Sequence, residues 1–75
     1  MNITKTIKKA AELYRVPDGE VQVYIHTNEP KVYHILGDEI LAQDKNYLHI
    51  ADNKKRRFEI INNNMIKKII ITNEK

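Results

Sequence analysis

A chain of 75 residues is long enough for one small domain. Because it has no cysteine, it can form neither disulfide bonds nor the usual thiolate zinc site. The formal net charge is +3 at pH 7, and all of the excess lies in residues 39 to 75, which favours an anionic partner for that half. The charges of residues 1 to 38 cancel: Lys5, Lys8, Lys9, Arg15 and Lys31 against Glu12, Asp18, Glu20, Glu29 and Asp38. There is no signal peptide and no apolar run long enough to span a bilayer, so we expect a cytoplasmic protein outside the membrane.

The first predicted element is a helix over residues 3 to 14. Its apolar residues recur at helical spacing and form one stripe, made by Ile3, Ile7, Ala10 and Tyr14 with Leu13 beside them. Asn2 is a suitable N-cap. Pro17 disfavours helical geometry in the residue before it, and the Asp-Gly pair that follows supplies a turn, so the helix should end there.

From residue 20 onward, apolar and polar residues alternate, which predicts strands. We expect about five antiparallel strands up to residue 72, followed by a tail, residues 73 to 75, that frays. Gly37-Asp38 interrupts the second strand, either as a two-residue hairpin turn or as a sharp bend in one long strand. Asn62-Asn63-Asn64 predicts a tight turn, because Asn tolerates left-handed geometry. Such a mainly β chain would close into a small barrel or form a strongly bent sheet, as a single domain of residues 1 to 75.

The first two strands are predicted to form a hairpin with residues 27 to 30 as its loop. This register places Ile25 opposite Val32, and Tyr24 opposite Tyr33 on the other side of the sheet. The two tyrosines would then either pack under the helix as core or form an aromatic contact surface.

The three histidines are the candidate imidazole ligands for a metal. The same register sends His26 and His34 to opposite sides of the sheet, and His49 faces away from the apolar side of its strand, so we expect no metal site. The chain has no glycine-rich phosphate loop and no paired nucleophile and base, and its carboxylates in residues 38 to 44 are ordinary turn residues. We therefore expect neither a cofactor nor enzymatic activity.

Two short motifs suggest a family. Gly37 is followed by "DEILAQDKNYLHIAD", in which Asp44 precedes an apolar strand, and "INNNMIKKI" (residues 61 to 69) has a short turn with an apolar residue on either side. In these features residues 21 to 71 resemble the Sm-like family, the small barrels that include the bacterial RNA chaperones. The Arg-Gly or Lys-His of the family's final loop is replaced here by Asn62-Asn63. The resemblance implies an SH3-like or Sm-like barrel of five strongly bent strands after a helix, and RNA binding.

The most charged stretch is "DNKKRRFEI", residues 52 to 60, and it has two interpretations. It could be the solvated end of a β-hairpin, where charges maintain solubility. Alternatively it could bind single-stranded nucleic acid, which needs basic residues for phosphate and an aromatic ring for base stacking. In a strand, Lys54 and Arg56 would share a face with Phe58, while Lys55 and Arg57 would share the other. The predicted interface comprises Lys54, Lys55, Arg56, Arg57, Tyr47, Asn62 and Asn63, with support from Lys67 and Lys68 in the next strand.

The last predicted strand, residues 65 to 72, is apolar on both faces. Ile66 and Ile70 fall on one face, and Met65, Ile69 and Ile71 on the other. A small sheet cannot bury such a strand on both sides alone, so we expect a homo-oligomer formed through edge strands. The leading hypothesis is a non-catalytic module that binds RNA or single-stranded DNA. The alternative is a protein-interaction or structural component of a phage or plasmid system, with no nucleic-acid role.

Overall fold

The computed structural model describes residues 2 to 73, in which one helix is followed by six antiparallel strands. Helix α1 spans Ile3–Tyr14, and the strands are β1 Gln22–Thr27, β2 Val32–Leu36, β3 Ile40–Gln43, β4 Tyr47–Asp52, β5 Arg57–Asn62 and β6 Ile66–Thr72. Short 3₁₀ turns lie at Asp18–Glu20, Gly37–Glu39 and Asn63–Met65. The predicted mainly β, antiparallel class is confirmed. Of the tail predicted to fray, residues 74 and 75 lie outside the described residues.

Helix α1 begins and packs as its sequence dictates, with one correction. The side chain of Asn2 accepts a hydrogen bond from the Lys5 N–H (3.1 Å), so the predicted N-cap is confirmed. The buried face consists of Ile3, Ile7 and Ala11. The predicted stripe was wrong after Ile7, because the buried face continues at Ala11, eight residues after Ile3, and Leu13 is 77% exposed.

The strands form two three-stranded sheets with the orders β2-β1-β6 and β3-β4-β5. The chain passes from the first sheet to the second through the turn Gly37–Glu39, so Gly37-Asp38 is not a two-residue hairpin turn, and the bend is the closer of the two interpretations. Between the described residues the strand pairings do not close a barrel, and the predicted closure is therefore not confirmed.

Gly37 is required at this junction by close packing. Its N–H donates to the Val21 carbonyl (2.9 Å). A Cβ atom here would collide with the backbone oxygen of Asp18 and would lie 2.9 Å from Cγ2 of Ile7 on the helix. The absence of a side chain thus lets α1 and the turn before β1 lie directly against the passage between the sheets.

The register of the β1–β2 hairpin differs from the prediction by one residue. The loop starts after Thr27, whose N–H donates to the Lys31 carbonyl (3.1 Å), and His26 lies opposite Val32. Because side chains alternate between faces, a shift of one residue moves every β2 side chain to the other face relative to β1.

This shift corrects two predictions about the aromatic residues. Tyr24 pairs with His34 and not with Tyr33, which pairs with Ile25 and packs against the core. His34 therefore shares a face with Tyr24 and His26, so the prediction that the two histidines lie on opposite sides was wrong.

The hydrophobic core lies between the two sheets and under the helix. Each layer contributes buried aliphatic side chains: Ile3 and Ile7 from α1, Val23, Ile25 and Ile35 from the first sheet, and Leu48, Ile50 and Ile61 from the second. Burying one such side chain stabilises the fold by about 1.5–3 kcal/mol, so this cluster is the main source of stability.

A bulge in β6 changes the predicted faces of the last strand. Thr27 pairs with Ile66 but His26 pairs with Lys68, which leaves Lys67 as an extra residue. Ile66 consequently packs against the core with Ile69 and Ile71, and the predicted grouping of Ile66 with Ile70 was wrong.

Candidate nucleic-acid interface

The basic residues of "DNKKRRFEI" lie in a tight turn and at the start of β5. Lys54, Lys55 and Arg56 belong to the turn 53–56 that joins β4 to β5, and Arg57 is the first residue of β5. The predicted division of these side chains between two strand faces was therefore wrong for the first three. Arg56 has a φ of 55°, and its N–H donates to the Asn53 carbonyl (3.3 Å). A left-handed residue at this point closes the turn.

The turn is held by two carboxylates beneath it. Glu39, only 3% exposed, accepts from the Asn53 N–H (2.8 Å) with one oxygen and from the Leu36 N–H (2.7 Å) with the other. Asp52 accepts from the Lys55 N–H (3.2 Å). The backbone that carries the basic side chains is thus anchored to the junction between the sheets, which limits the ordering cost of binding.

Lys54 is directed toward the first sheet. Its Nζ lies 3.2 Å from Nδ1 of His34, and Nε2 of that ring lies 2.6 Å from Oε1 of Gln22. This arrangement fits the tautomer in which His34 donates from Nε2 and accepts from the lysine at Nδ1. The ring also stacks on Tyr24, with centroids 4.3 Å apart and planes 6° apart. Lys54 and this stacked pair form one continuous polar and aromatic surface.

Arg57 shares a counter-ion with a lysine from the β1–β2 loop. Its Nε donates to one oxygen of Glu59 (3.3 Å), and Nζ of Lys31 lies 3.6 Å from the other. Hydrogen bonding to the Tyr33 side chain raises the pKa of Lys31, which also lies over that ring at 4.5 Å, so the lysine stays charged at neutral pH. Glu59 therefore offsets part of the positive charge of both Arg57 and Lys31.

Phe58 is a candidate binding residue that the sequence-based site did not include. It is 79% exposed, two residues after the basic turn (residues 53 to 56), on the outer face of β5, where Ala51 lies opposite. Ile60, 64% exposed, follows on the same face. Burial was the default expectation for the sole phenylalanine of the chain. Its place between charged residues was the signal that could have identified it.

Tyr47, Asn62 and Asn63 lie at the opposite end of the β4–β5 hairpin from the basic turn. Tyr47 pairs with Asn62 at one end, whereas Asp52 pairs with Arg57 at the other. Five residues of strand separate the two ends, about 17 Å at about 3.3 Å per residue. The structure therefore does not bring the seven predicted site residues together.

The Asn turn makes internal contacts. The N–H of Asn63 donates to the Asn46 carbonyl (2.8 Å) and its side-chain amide to the Asp44 carbonyl (2.9 Å). The side chain of Asn62 accepts from the Asn64 N–H (2.9 Å). The predicted tight turn is confirmed as the 3₁₀ turn Asn63–Met65, but no asparagine in residues 62 to 64 has positive φ, so it forms without the left-handed geometry given as its reason. These contacts fasten the turn to the β3–β4 connection.

Asp44 organises that same connection. Its Oδ1 accepts from the N–H groups of Asn46 and Tyr47, both at 2.8 Å, and these hydrogen bonds lower the pKa of the carboxyl below its usual 3.8. Oδ2 lies 3.8 Å from Nε2 of His49. Asp44 thus fixes the β3–β4 turn and is already paired with groups of the chain itself.

Comparisons with known proteins add no family. No family model, curated protein or solved structure matches this chain. Within residues 2 to 73, no helix combines the length and the apolar character needed to cross a membrane. In the same range, no group of three or more histidines and carboxylates could hold a metal ion.

Proposed function

We propose that this protein is a non-catalytic module that binds single-stranded nucleic acid, RNA or DNA, through the basic end of the β4–β5 hairpin. The observation that carries the proposal is the exposure of Phe58 directly beside the anchored basic turn. An aromatic ring that is open to solvent can stack on any base, and neighbouring cations attract the phosphates.

The cations have distinct roles in this proposal. Lys55 and Arg56 are exposed, and no carboxylate within residues 2 to 73 forms an ion pair with either side chain, so they are free to contact phosphates. Lys54 extends the surface to the Tyr24–His34 stack, and Arg57 becomes available when its contact with Glu59 loosens. Tyr47, Asn62 and Asn63 could contact only a more distant part of a bound strand.

We also propose that copies of the chain associate through strand edges. In residues 2 to 73, β5 pairs with β4 alone, so one backbone edge of β5 has no partner strand. Pairing of such edges between copies would align several basic turns along one nucleic-acid strand, which raises its affinity through multivalency. Light scattering should therefore give an oligomer mass at tens of micromolar; a monomer mass would refute this part.

The alternative is a protein-interaction component without a nucleic-acid role, and one observation favours it. The second sheet exposes several large apolar side chains: Leu41 on β3, Tyr47 on β4, and Phe58 and Ile60 on β5. The aliphatic members of this set contribute little to base stacking. An apolar surface of this kind suits a protein partner, whose binding would depend weakly on salt. Nucleic-acid binding, in contrast, weakens steeply as salt rises.

Fluorescence anisotropy with labelled oligo-U and oligo-dT separates the two. We expect binding at low salt that Phe58→Ala weakens about fivefold to 150-fold, in line with about 1–3 kcal/mol per stacked base. Leu13→Ala is the matched control, because Leu13 is exposed to a similar extent (77% against 79%) but lies on the helix.

A second pair of variants tests the charges. The double variant Lys55→Ala with Arg56→Gly should weaken binding, whereas Lys8→Ala with Lys9→Ala removes the same charge from the exposed face of α1 and should change it little. Glycine is used at position 56 because the φ there is positive. This interface would be excluded if the wild type did not bind, or if the two double variants lost the same amount of affinity.

A further inference from the structure

A second basic surface lies at the end of the first sheet that carries the β1–β2 loop. It is a cleft of about 510 Å³, bounded by the β1–β2 loop and the start of β6. Its lining consists of His26, Thr27, Pro30, Lys31, Val32, Lys67 and Lys68. None of these belongs to the turn 53–56 or to β5, so its properties can be tested separately.

The bulge in β6 creates this cleft. Consecutive residues of a regular strand point to opposite faces, so Lys67 and Lys68 would ordinarily be separated by the sheet. The extra residue at the bulge changes this alternation, and both lysines line the same cleft. Bulges often re-aim side chains at binding sites.

The charge of the cleft is strongly one-sided. Three lysines and a histidine line it, and no acidic residue is among the lining residues. The nearest paired carboxylate, Glu59, contacts Lys31 from outside the lining at 3.6 Å. Like charges gathered in this way repel one another, and an anion would relieve the repulsion.

The opposite side of the cleft is apolar and rigid. His26 on β1 pairs with Val32 on one side and with Lys68 on the other, so Pro30 and Val32 lie across the histidine from the lysines of β6. The hydroxyl of the buried Thr27 donates to the Glu29 carbonyl (2.7 Å) and also lies within hydrogen-bond distance of the Lys31 carbonyl (3.1 Å), which fixes the loop. A ligand with an anionic end and a flat or apolar end matches both sides.

We infer that this cleft binds a nucleotide unit, with its phosphate on Lys67 and Lys68 and its base or sugar against Pro30 and Val32. The volume lies within the range of small-ligand sites, about 300–1,000 Å³. The unit could be a free nucleotide or part of a strand, since both present the same phosphate and base. The inference extends the proposed function to a second surface and does not depend on binding at the basic turn.

NMR titration of the labelled full chain tests this with UMP, AMP and inorganic phosphate as separate probes. UMP or AMP should shift the amide signals of residues 26 to 32 and 66 to 68 in a saturable manner, and at least several-fold more tightly than phosphate. If phosphate binds equally well, the apolar side has no role and the nucleotide assignment is overturned. If no probe shifts these signals, the site itself is refuted.

Matched variants complete the test. Lys67→Gln with Lys68→Gln should weaken nucleotide binding at least tenfold, while Lys8→Gln with Lys9→Gln, the same loss of charge on α1, should not. Shifts of residues 26 to 32 and 66 to 68 report binding at the cleft, whereas shifts of residues 53 to 58 report binding at the hairpin. Failure at the hairpin and failure at the cleft are thereby distinguishable. Equal effects of the two lysine pairs would contradict the inference.

Discussion

Two arginines have the backbone conformation that usually belongs to glycine. Arg15 (φ 57°) ends α1, and Arg56 (φ 55°) closes the basic turn. The N–H of Arg15 bonds to the carbonyls of Ala11 and Glu12, which is how a left-handed residue completes a helix C-terminus. The helix therefore ends at Tyr14, three residues before Pro17, and not through the proline itself.

Replacing Arg15 by glycine should raise the free energy of unfolding by about 0.5–1 kcal/mol, because a left-handed conformation costs other residues roughly 1 kcal/mol. Lys9→Gly is the control: within the same helix it should lower stability by about 1 kcal/mol. Urea denaturation measures both. If Arg15→Gly lowered the free energy of unfolding as much as Lys9→Gly does, Arg15 would not be strained.

Asp44 gives a prediction about pH. Because its pKa is lowered in the folded chain, its contribution is present above the usual pKa of 3.8 and is lost as the pH falls through the folded value. Wild type should therefore melt at a higher temperature than Asp44→Asn at pH 6, and the gap should narrow below pH 3.8. Thermal melts of both proteins from pH 6 to pH 2 measure this. A difference in melting temperature that stayed constant over this range would contradict the prediction.

At the scale of elements, the junction between the sheets depends on one buried carboxylate. Glu39 joins the end of β2 to the β4–β5 turn through two backbone N–H groups. Its sequence context, Gly-Asp-Glu, looks like an exposed turn, and only the pairing of distant strands shows that it is buried. Glu39 therefore supports the basic turn as well as the fold.

Glu39→Gln should lower the free energy of unfolding by about 1–3 kcal/mol, since one of the two carboxylate acceptors becomes an NH₂ donor facing an N–H. Glu12→Gln, on the exposed face of α1, should change it by less than about 0.5 kcal/mol. Denaturant unfolding compares the two. Equal effects would mean that the hydrogen bonds of Glu39 carry no net stability.

Local patterns predicted elements better than they predicted contacts between elements. The bounds of α1 and the approximate positions of the strands followed from periodicity and capping. The β1–β2 register did not follow from periodicity, because displacing the loop by one residue gives every paired residue a different partner. The bulge at Lys67 also has no sequence signature, and it is what gathers the lysines of the cleft. Sequence proximity likewise grouped Tyr47 with basic residues that a hairpin holds at its other end.

On the scale of the whole molecule, Glu59 connects the two basic surfaces. It contacts Arg57 of the hairpin and Lys31 of the cleft at once. A bound polyanion would have to compete with this carboxylate at both places, so Glu59 sets how much positive charge the chain presents.

Glu59→Gln should therefore raise the affinity for oligo-U several-fold at low salt, and steepen the salt dependence by a slope of about 0.7 for each additional phosphate that the chain neutralises. Glu29→Gln removes the same charge from an exposed loop position and should have a smaller effect. Anisotropy titrations at several salt concentrations measure both. An unchanged slope for Glu59→Gln would show that Arg57 and Lys31 do not contact the strand.

Ultraviolet cross-linking of the wild-type chain to oligo-U, followed by mass spectrometry of the linked peptide, identifies the residue that contacts the base. A base stacked on an exposed aromatic ring cross-links to it, so the account predicts linkage at Phe58, with Phe58→Ala abolishing the product. Linkage at Tyr47 without Phe58, or no cross-link at a concentration of strand that saturates binding, would contradict an interface at the basic end of the β4–β5 hairpin.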